Sequence, residues 1–242
     1  MNVRVDLESA AQRLGINISE DQLALMEHLL RQLQTYNEHT NLVSKADPQT
    51  VVREHVIDAM TLVPLIMQRK KEPARLIDIG SGAGFPGLIL AILVPNLQTH
   101  LVDSVGKKTR FLSEAQDALC LQDRVVVHTG RAEELAHQAD LRHSFDFATA
   151  RAVGTLDLVA ELCLPFLKKG GWLLAQKSRR QAQEEMGGAE GTMRILGGKP
   201  PALESADTQA TGRDLVIVAV EKSQPTPPRY PRHGSQLKRP LK

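Results

Sequence analysis

The chain has 242 residues, 42% hydrophobic and 24% charged, with a formal net charge of +2. These values suit one large folded domain, or one domain with a small appendage, and exclude a disordered or fibrous chain. No apolar run approaches the ~20 residues that cross a bilayer, and the opening MNVRVDLESA is no signal peptide, so a cytoplasmic protein with no membrane partner is expected.

Two helical patterns come first. In residues 6–14, Leu7, Ala10, Ala11 and Leu14 recur at helical spacing, and Gly15 ends the run. Ser19 is a natural N-cap for the next helix, in which Leu23, Met26, Leu30 and Leu33 share one face as far as about His39. Glu20 and Asp21 suit the positive end of that helix. Asp47-Pro48 opens a third, Pro being welcome at the first helical position. It carries Val52, His55, Val56, Ala59 and Leu62 until Pro64 disturbs it. Residues 1–73 read as a helical cap.

From Arg75 the pattern changes. Short apolar runs at 76–79, 99–102, 125–128, 145–150 and 172–176 alternate with helical segments at 87–93, 107–120, 132–136 and 156–167. Such alternation builds a parallel sheet covered by helices on both faces, here an α/β core over residues 74–222, with a late strand at 215–220 closing one edge. Residues 187–212, rich in Gly and Pro, show no clear element. Cys120 and Cys163 fall in apolar helical stretches and read as reduced core residues, and no spacing suggests a metal site. After Glu221 no acidic residue follows. Lys222 is followed by Arg229, Arg232, Lys238, Arg239 and Lys242, which make the end of the chain, residues 223–242, a basic tail suited to phosphates.

The most informative stretch is Asp78-Ile79-Gly80-Ser81-Gly82-Ala83-Gly84-Phe85-Pro86-Gly87. A strand runs into a glycine-rich turn and then a helix, the setting in which glycines let a ligand approach the backbone. A dinucleotide would bring a pyrophosphate to this turn, where the charge of Asp78 is unwelcome; a ligand carrying a sulfonium and an ammonium would be favoured. The spacing also departs from G-x-G-x-x-G. Asp103, ending the second strand, can accept hydrogen bonds from ribose hydroxyls, and Gly130-Arg131-Ala132-Glu133 after the third should flank a base.

After the fourth strand the chain reads Ala148-Thr149-Ala150-Arg151-Ala152. The Asp/Asn-Pro-Pro-aromatic tetrad common in enzymes that methylate adenine amino groups is absent there. Neither cysteine lies at a strand end, where cytosine C5 methylation would need its nucleophile. A target with a free lone pair, such as N7 of guanine, needs neither feature, and alignment of the reacting atoms would then do most of the work. Arg151 and Lys177, at neighbouring strand ends, could orient a base through O6 or a phosphate. His55 and Asp58 are helical neighbours able to hydrogen-bond each other, with Arg53 close by. Aromatics make up only 3% of the chain, so base stacking would rest on few rings, Tyr36 and Tyr230 among them.

In their order along the chain these residues resemble the small-subunit ribosomal RNA methyltransferase G family, also called glucose-inhibited division protein B. The likeness runs through Asn41-Leu42-Val43-Ser44, Arg53-x-His55-x-x-Asp58, the Asp78–Gly87 stretch, Leu101-Val102-Asp103-Ser104-x-x-Lys107-Lys108, Arg131-Ala132-Glu133, Ala150-Arg151-Ala152, Lys177 and Thr226-Pro227-Pro228-Arg229-Tyr230-Pro231-Arg232. The resemblance implies the class I (Rossmann-like) methyltransferase fold, with a mostly parallel seven-stranded sheet. It also implies transfer of a methyl group from S-adenosyl-L-methionine to guanine N7 in 16S rRNA of the small ribosomal subunit. Carried over by position, the cofactor contacts would be Gly80, Gly82, Phe85, Asp103, Ala132, Glu133 and Arg151. Candidate RNA contacts are Arg53, Lys177, Arg179, Arg229, Tyr230 and Arg232, in a protein expected to act as a monomer. The chain differs from the family pattern at Ala59, Ser178 and Asp214. The alternative readings are an NAD-dependent oxidoreductase and a non-catalytic RNA-binding module with a vestigial fold.

Overall fold

The computed structural model describes residues 3–45, 47–238 and 241, with 208, 209 and 238 described by backbone alone. Helices α1 (Val3–Leu14) and α2 (Glu20–Thr40) bury Leu7, Ala10 and Ala11 in the one and Leu23, Met26, Leu30 and Leu33 in the other. Ser19 Oγ accepts from the Gln22 N–H while the Gln22 side chain accepts from the Ser19 N–H, so two donors at the start of α2 are satisfied. Asp47 caps α3 (Pro48–Val51), which runs through a π-turn at Val52–Val56 into α4 (Ile57–Met60). Pro64 does not end the helical stretch. It sits in the first turn of α5 (Leu62–Arg69), where its missing N–H would have had no intrahelical partner.

The sheet follows. Its elements are β1 (Ala74–Ile79), α6 (Gly87–Leu93), β2 (Leu97–Asp103), α7 (Gly106–Ala118), β3 (Val125–Thr129), α8 (Ala132–Leu135), β4 (Phe145–Arg151), α9 (Leu156–Cys163), β5 (Leu167–Ser178), α10 (Arg179–Ile195), β6 (Ala202–Ser205), α11 (Thr208–Thr211) and β7 (Leu215–Glu221). The seven strands lie in the order β3-β2-β1-β4-β5-β7-β6. Strands β1 to β5 are parallel, and β7 is antiparallel to both β5 and β6. Successive residues of a strand face opposite ways, and the core divides accordingly. Leu76, Phe147, Leu174 and Ile217 pack with α1–α7, whereas Ile77, Ala148, Leu173 and Val218 pack with α8–α10. The N-terminal helices therefore share a core with one face of the sheet. Among the described residues no helix is long and apolar enough to cross a membrane.

Several sequence expectations need correction. Strand β7 is not the edge; β6 lies outside it, in the stretch that showed no element. Helix α10 was hidden by Gly187, Gly188 and Gly191, yet Ser178 and Gln181 form a capping box at its start, and Ala182, Ala189, Thr192 and Met193 give it a buried face. Cys120 is exposed, at φ +53 beyond the end of α7, while Cys163 is buried.

The basic end of the chain is a strap, not a loose tail. Arg142 donates to the carbonyls of Thr226, Pro227 and Tyr230 at 3.0, 3.2 and 2.9 Å. Arg232 grips the buried Glu161 with two side-chain bonds and its own N–H. The ammonium of Lys222, buried and donating to Leu196 O and Thr226 Oγ1, is unavailable to a phosphate; burial pushes its pKa down to about 7. Arg239 and Lys242, also counted in the basic tail, lie outside the described residues.

Candidate functional site

Strands β1, β2, β3 and β4 end level with one another: Ile79 pairs with Val102 and Ala150, and Asp103 with Thr129. Strand order reverses between β1 and β4, which opens a crevice beyond these ends. The glycine loop folds over it. Gly80 and Ser81 donate to Val102 O at 2.8 and 3.0 Å, and Ser81 Oγ links Asp78 O to the Val102 N–H. Gly80 and Gly82 hold φ of +72 and +58, conformations that side chains resist. A Cβ at Gly80 would come within 2.8 Å of Val153 Cγ2, whereas at Gly82 it would meet only Gly80 O, at 3.8 Å. The loop is closed toward Val153 and open at Gly82.

Asp78 does not face this crevice. Fully buried, it accepts from the Gly87 N–H at 3.0 Å and from Thr149 Oγ1 at 2.9 Å, and burial pushes its pKa up to about 6. The expectation that its charge acts directly on a ligand gives way to another effect. Its carboxylate takes up the start of α6, where a dinucleotide would need free N–H groups for its pyrophosphate.

Asp103 Oδ2 accepts from the Gly82 N–H at 3.0 Å, Oδ1 from the Val105 N–H at 2.9 Å, and the Lys108 ammonium lies 3.6 Å away. A carboxylate offers about four acceptor positions, so capacity remains for a pair of hydroxyls. Gly80, Asp103, Ala132 and Glu133 line one cavity of about 120 Å³. A carboxylate, a glycine backbone and a small alanine wall in one hollow fit the ribose and base of an adenosyl group.

Val153 faces that cavity, while its neighbours Ala152 and Gly154 line a second, larger cleft of about 680 Å³. The loop between β4 and α9 is their common wall. Arg151 organises the second cleft. It donates to Glu54 O at 2.9 Å, to Asp58 Oδ2 at 3.3 Å and to His55 Nδ1 at 2.9 Å. Arginine only donates, so His55 must be neutral, with its proton on Nε2. Burial and the adjacent guanidinium hold its pKa at about 4. Arg213 donates to Glu54 O at 2.8 Å and also binds the Asp58 carboxylate. Burial lifts the Asp58 pKa above the ordinary range, against the pull of Arg213 and Arg151. The expected His55–Asp58 bond is not formed; the π-turn presents both side chains to Arg151.

The remaining candidates are spread out. Phe85 is buried, its ring 5.4 Å from that of His55 and 6.0 Å from the Arg151 guanidinium. Lys177 lines the larger cleft but is only 9% exposed, its ammonium held by Gly154 O at 2.5 Å and Glu185 at 2.8 Å. Its strand-end position thus brings it to the cleft, with its ammonium committed here to these two acceptors. Arg179 is paired with Asp214, and Arg53 lines a neighbouring hollow with Asp6 and Thr211. Tyr230 is buried beneath the Arg229 guanidinium, 5.0 Å from its ring centre, which corrects the expectation that it stacks on a base. Tyr36 packs on Phe111 instead. Sequence reasoning missed Gln176, Glu185 and Arg213 as parts of the larger cleft. Gln176, a lone amide in the apolar run of β5, was the one readable sign.

A family model described as rRNA small subunit methyltransferase G matches residues 22–214. Among curated relatives, the ribosomal RNA small subunit methyltransferase G of Desulfitobacterium hafniense is 38% identical, covering 95% of this chain and 94% of that one. The protein of the same name from Alkaliphilus metalliredigens is 35% identical, with 100% of each covered. Among solved structures, a Methanococcus maripaludis protein assigned as an S-adenosyl-L-methionine-dependent methyltransferase superposes with a TM-score of 0.54 at 11% identity, over 81% of this chain and 92% of that one. This last likeness concerns the fold.

Proposed function

This chain belongs to the rRNA small subunit methyltransferase G family, and we propose that its reaction is methylation of N7 of a guanine in 16S rRNA, with S-adenosyl-L-methionine as donor, in the cytoplasm and as a monomer. The observation that carries this reading is the gathering of Gly80, Asp103, Ala132 and Glu133 around one cavity that shares a wall with a charged cleft.

In the smaller cavity Asp103 accepts from the ribose hydroxyls, the opening at Gly82 lets the cofactor lie against the backbone, and Ala132 and Glu133 flank the adenine. Bound there, S-adenosyl-L-methionine supplies a methyl group on positively charged sulfur for in-line transfer to a lone pair. Guanine N7 carries that lone pair without loss of a proton, so no general base is required. The protein's contribution is alignment and exclusion of water. Arg151, fixed by Glu54, His55 and Asp58, keeps the wall between the two cavities in place. Of the candidate RNA contacts, Arg53 and Arg229 are exposed and Arg179 is half-buried beside Asp214, and we assign all three to phosphates. Lys177, Tyr230 and Arg232 serve the structure.

The test is transfer of labelled methyl to small subunits from a strain lacking the protein, followed by base mapping. One methylated guanine N7 is the expected product. Labelling of another atom, or none, would overturn the reading.

A further inference from the structure

The floor of the 680 Å³ cleft has a feature that its ion pairs do not explain. Asp58 and Gln176 are 2% and 6% exposed, and each keeps one oxygen, Asp58 Oδ1 and Gln176 Oε1, with no hydrogen-bond partner among the described residues. Buried acceptors are rarely left unpaired, because each costs the desolvation of its lone pairs. The two residues are linked, Gln176 Nε2 donating to Asp58 O at 2.6 Å and to Thr61 Oγ1 at 3.2 Å. Those bonds commit the amide's donor end and fix Oε1 as the free end. Asp58 also stands two residues beyond a helix segment wound as a π-turn, a rare local form that recurs at functional sites.

The group that covers this floor is a guanidinium. Arg213, 40% exposed at its side chain, binds the Asp58 carboxylate and Glu54 O from the solvent side. That contact runs from Arg213 Nη2 to Asp58 Oδ2 and leaves Oδ1 open. Guanine presents two adjacent N–H donors along one edge, N1–H beside the N2 amino group. We propose that Asp58 and Gln176 read the target base by accepting from guanine N1–H and N2–H, and that Arg213 holds the Asp58 carboxylate until the base displaces it. The proposal rests on the guanine N7 reading above.

The geometry of guanine supports this assignment. N1 and N2 lie on the edge opposite N7, so a base held by them keeps its N7 lone pair free. Adenine puts an acceptor at N1 and no donor on C2, and would leave two buried acceptors facing a third. A site built to pair a donor rejects an analogue that lacks it far more strongly than an apolar pocket rejects a missing methyl group.

Small subunits carrying guanosine or inosine at the mapped position provide the test, since inosine lacks only the N2 amino group. For the unaltered protein, kcat/KM should fall about 10- to 100-fold on inosine, with S-adenosylhomocysteine affinity unchanged. Asp58→Asn should lose about as much on guanosine and discriminate inosine from guanosine less than about threefold. A purely structural role for Asp58 would lower both substrates equally and leave the discrimination intact. Should that variant fail to bind S-adenosylhomocysteine, the inosine comparison with the unaltered protein decides alone. Equal methylation of the two bases by the unaltered protein overturns base reading while N7 methylation stands. No methylation of guanosine at all removes both.

Discussion

Replacing Arg232 by Met tests whether the strap is part of the folded core. Glu161 is 2% exposed and its carboxylate accepts from Arg232 Nε at 2.9 Å, Nη2 at 2.8 Å and the Arg232 N–H at 2.8 Å. The variant keeps only the last of these. Breaking one side of a buried ion pair costs about 3–5 kcal/mol. Because the backbone bond remains and the Arg232 side chain is 18% exposed, about 2–3 kcal/mol is the expected loss. At roughly 2–4 °C per kcal/mol for a chain of this size, the melting midpoint should fall by about 4–12 °C, with a parallel shift in urea. Glu161→Gln combined with Arg232→Met should recover part of the loss, because no buried charge is then left alone. Leu162, next to Glu161, lines the smaller cavity, so S-adenosylhomocysteine affinity should weaken with Arg232→Met as well. A midpoint within about 1 °C of the parent would show that the strap hangs loosely, and the argument from these three bonds would be wrong.

Asp103→Asn should weaken S-adenosylhomocysteine binding about 10- to 100-fold in calorimetry, the equivalent of one or two charge-assisted hydrogen bonds; an unchanged affinity would remove Asp103 from the site. Gly187→Ala and Gly188→Ala lie in α10 with open space around the added Cβ, and each should raise stability by about 0.5–1 kcal/mol in denaturant unfolding. Asp78 has a folded pKa of about 6, above the ordinary value of 3.8, so the folded state binds the extra proton and stability falls as pH rises from about 4 to 6. Asp78→Asn cannot ionise, and its stability relative to the parent should improve by about 2 kcal/mol between pH 4 and 7; a flat difference would contradict the assigned shift. His55 should remain neutral until pH nears 4, followed by its ring NMR signals, and a midpoint near 6.5 would break the assignment of Arg151 as its donor.

How much was legible followed from how far each feature reaches along the chain. The smaller cavity was readable because its parts are local punctuation: Gly80 and Gly82 hold positive φ, Asp103 ends β2, and Ala132 opens the short helix three residues beyond the end of β3. Parallel topology then delivers those ends to a single crevice without further information. Helix α10 was unreadable for the opposite reason. Its glycines argue against a helix by propensity, and what overrides them is packing of Ala182, Ala189 and Met193 under α9, a tertiary effect. The strap misled through its charge. Arg232 and Lys222 look like solvated cations until Glu161 and the Leu196 carbonyl are found waiting for them.

The larger cleft shows where pattern reasoning stops. Its floor joins Asp58, Arg151, Gln176 and Arg213, from four separate stretches of chain, and a π-turn rotates the first of them away from the neighbour that ideal helical spacing assigns it. No periodicity encodes such a meeting. Yet the two cavities are not independent, because the few residues that separate them touch both. Arg151 ties the end of β4 to His55 and Asp58, while two residues later Val153 closes against Gly80, leaving no room for a Cβ there. A shift of that loop toward either side must loosen the other, so on the proposed assignment of cofactor to the smaller cavity and base to the larger the two holds are coupled through one short wall. Alignment of that kind is what a lone-pair nucleophile such as N7 asks of a protein.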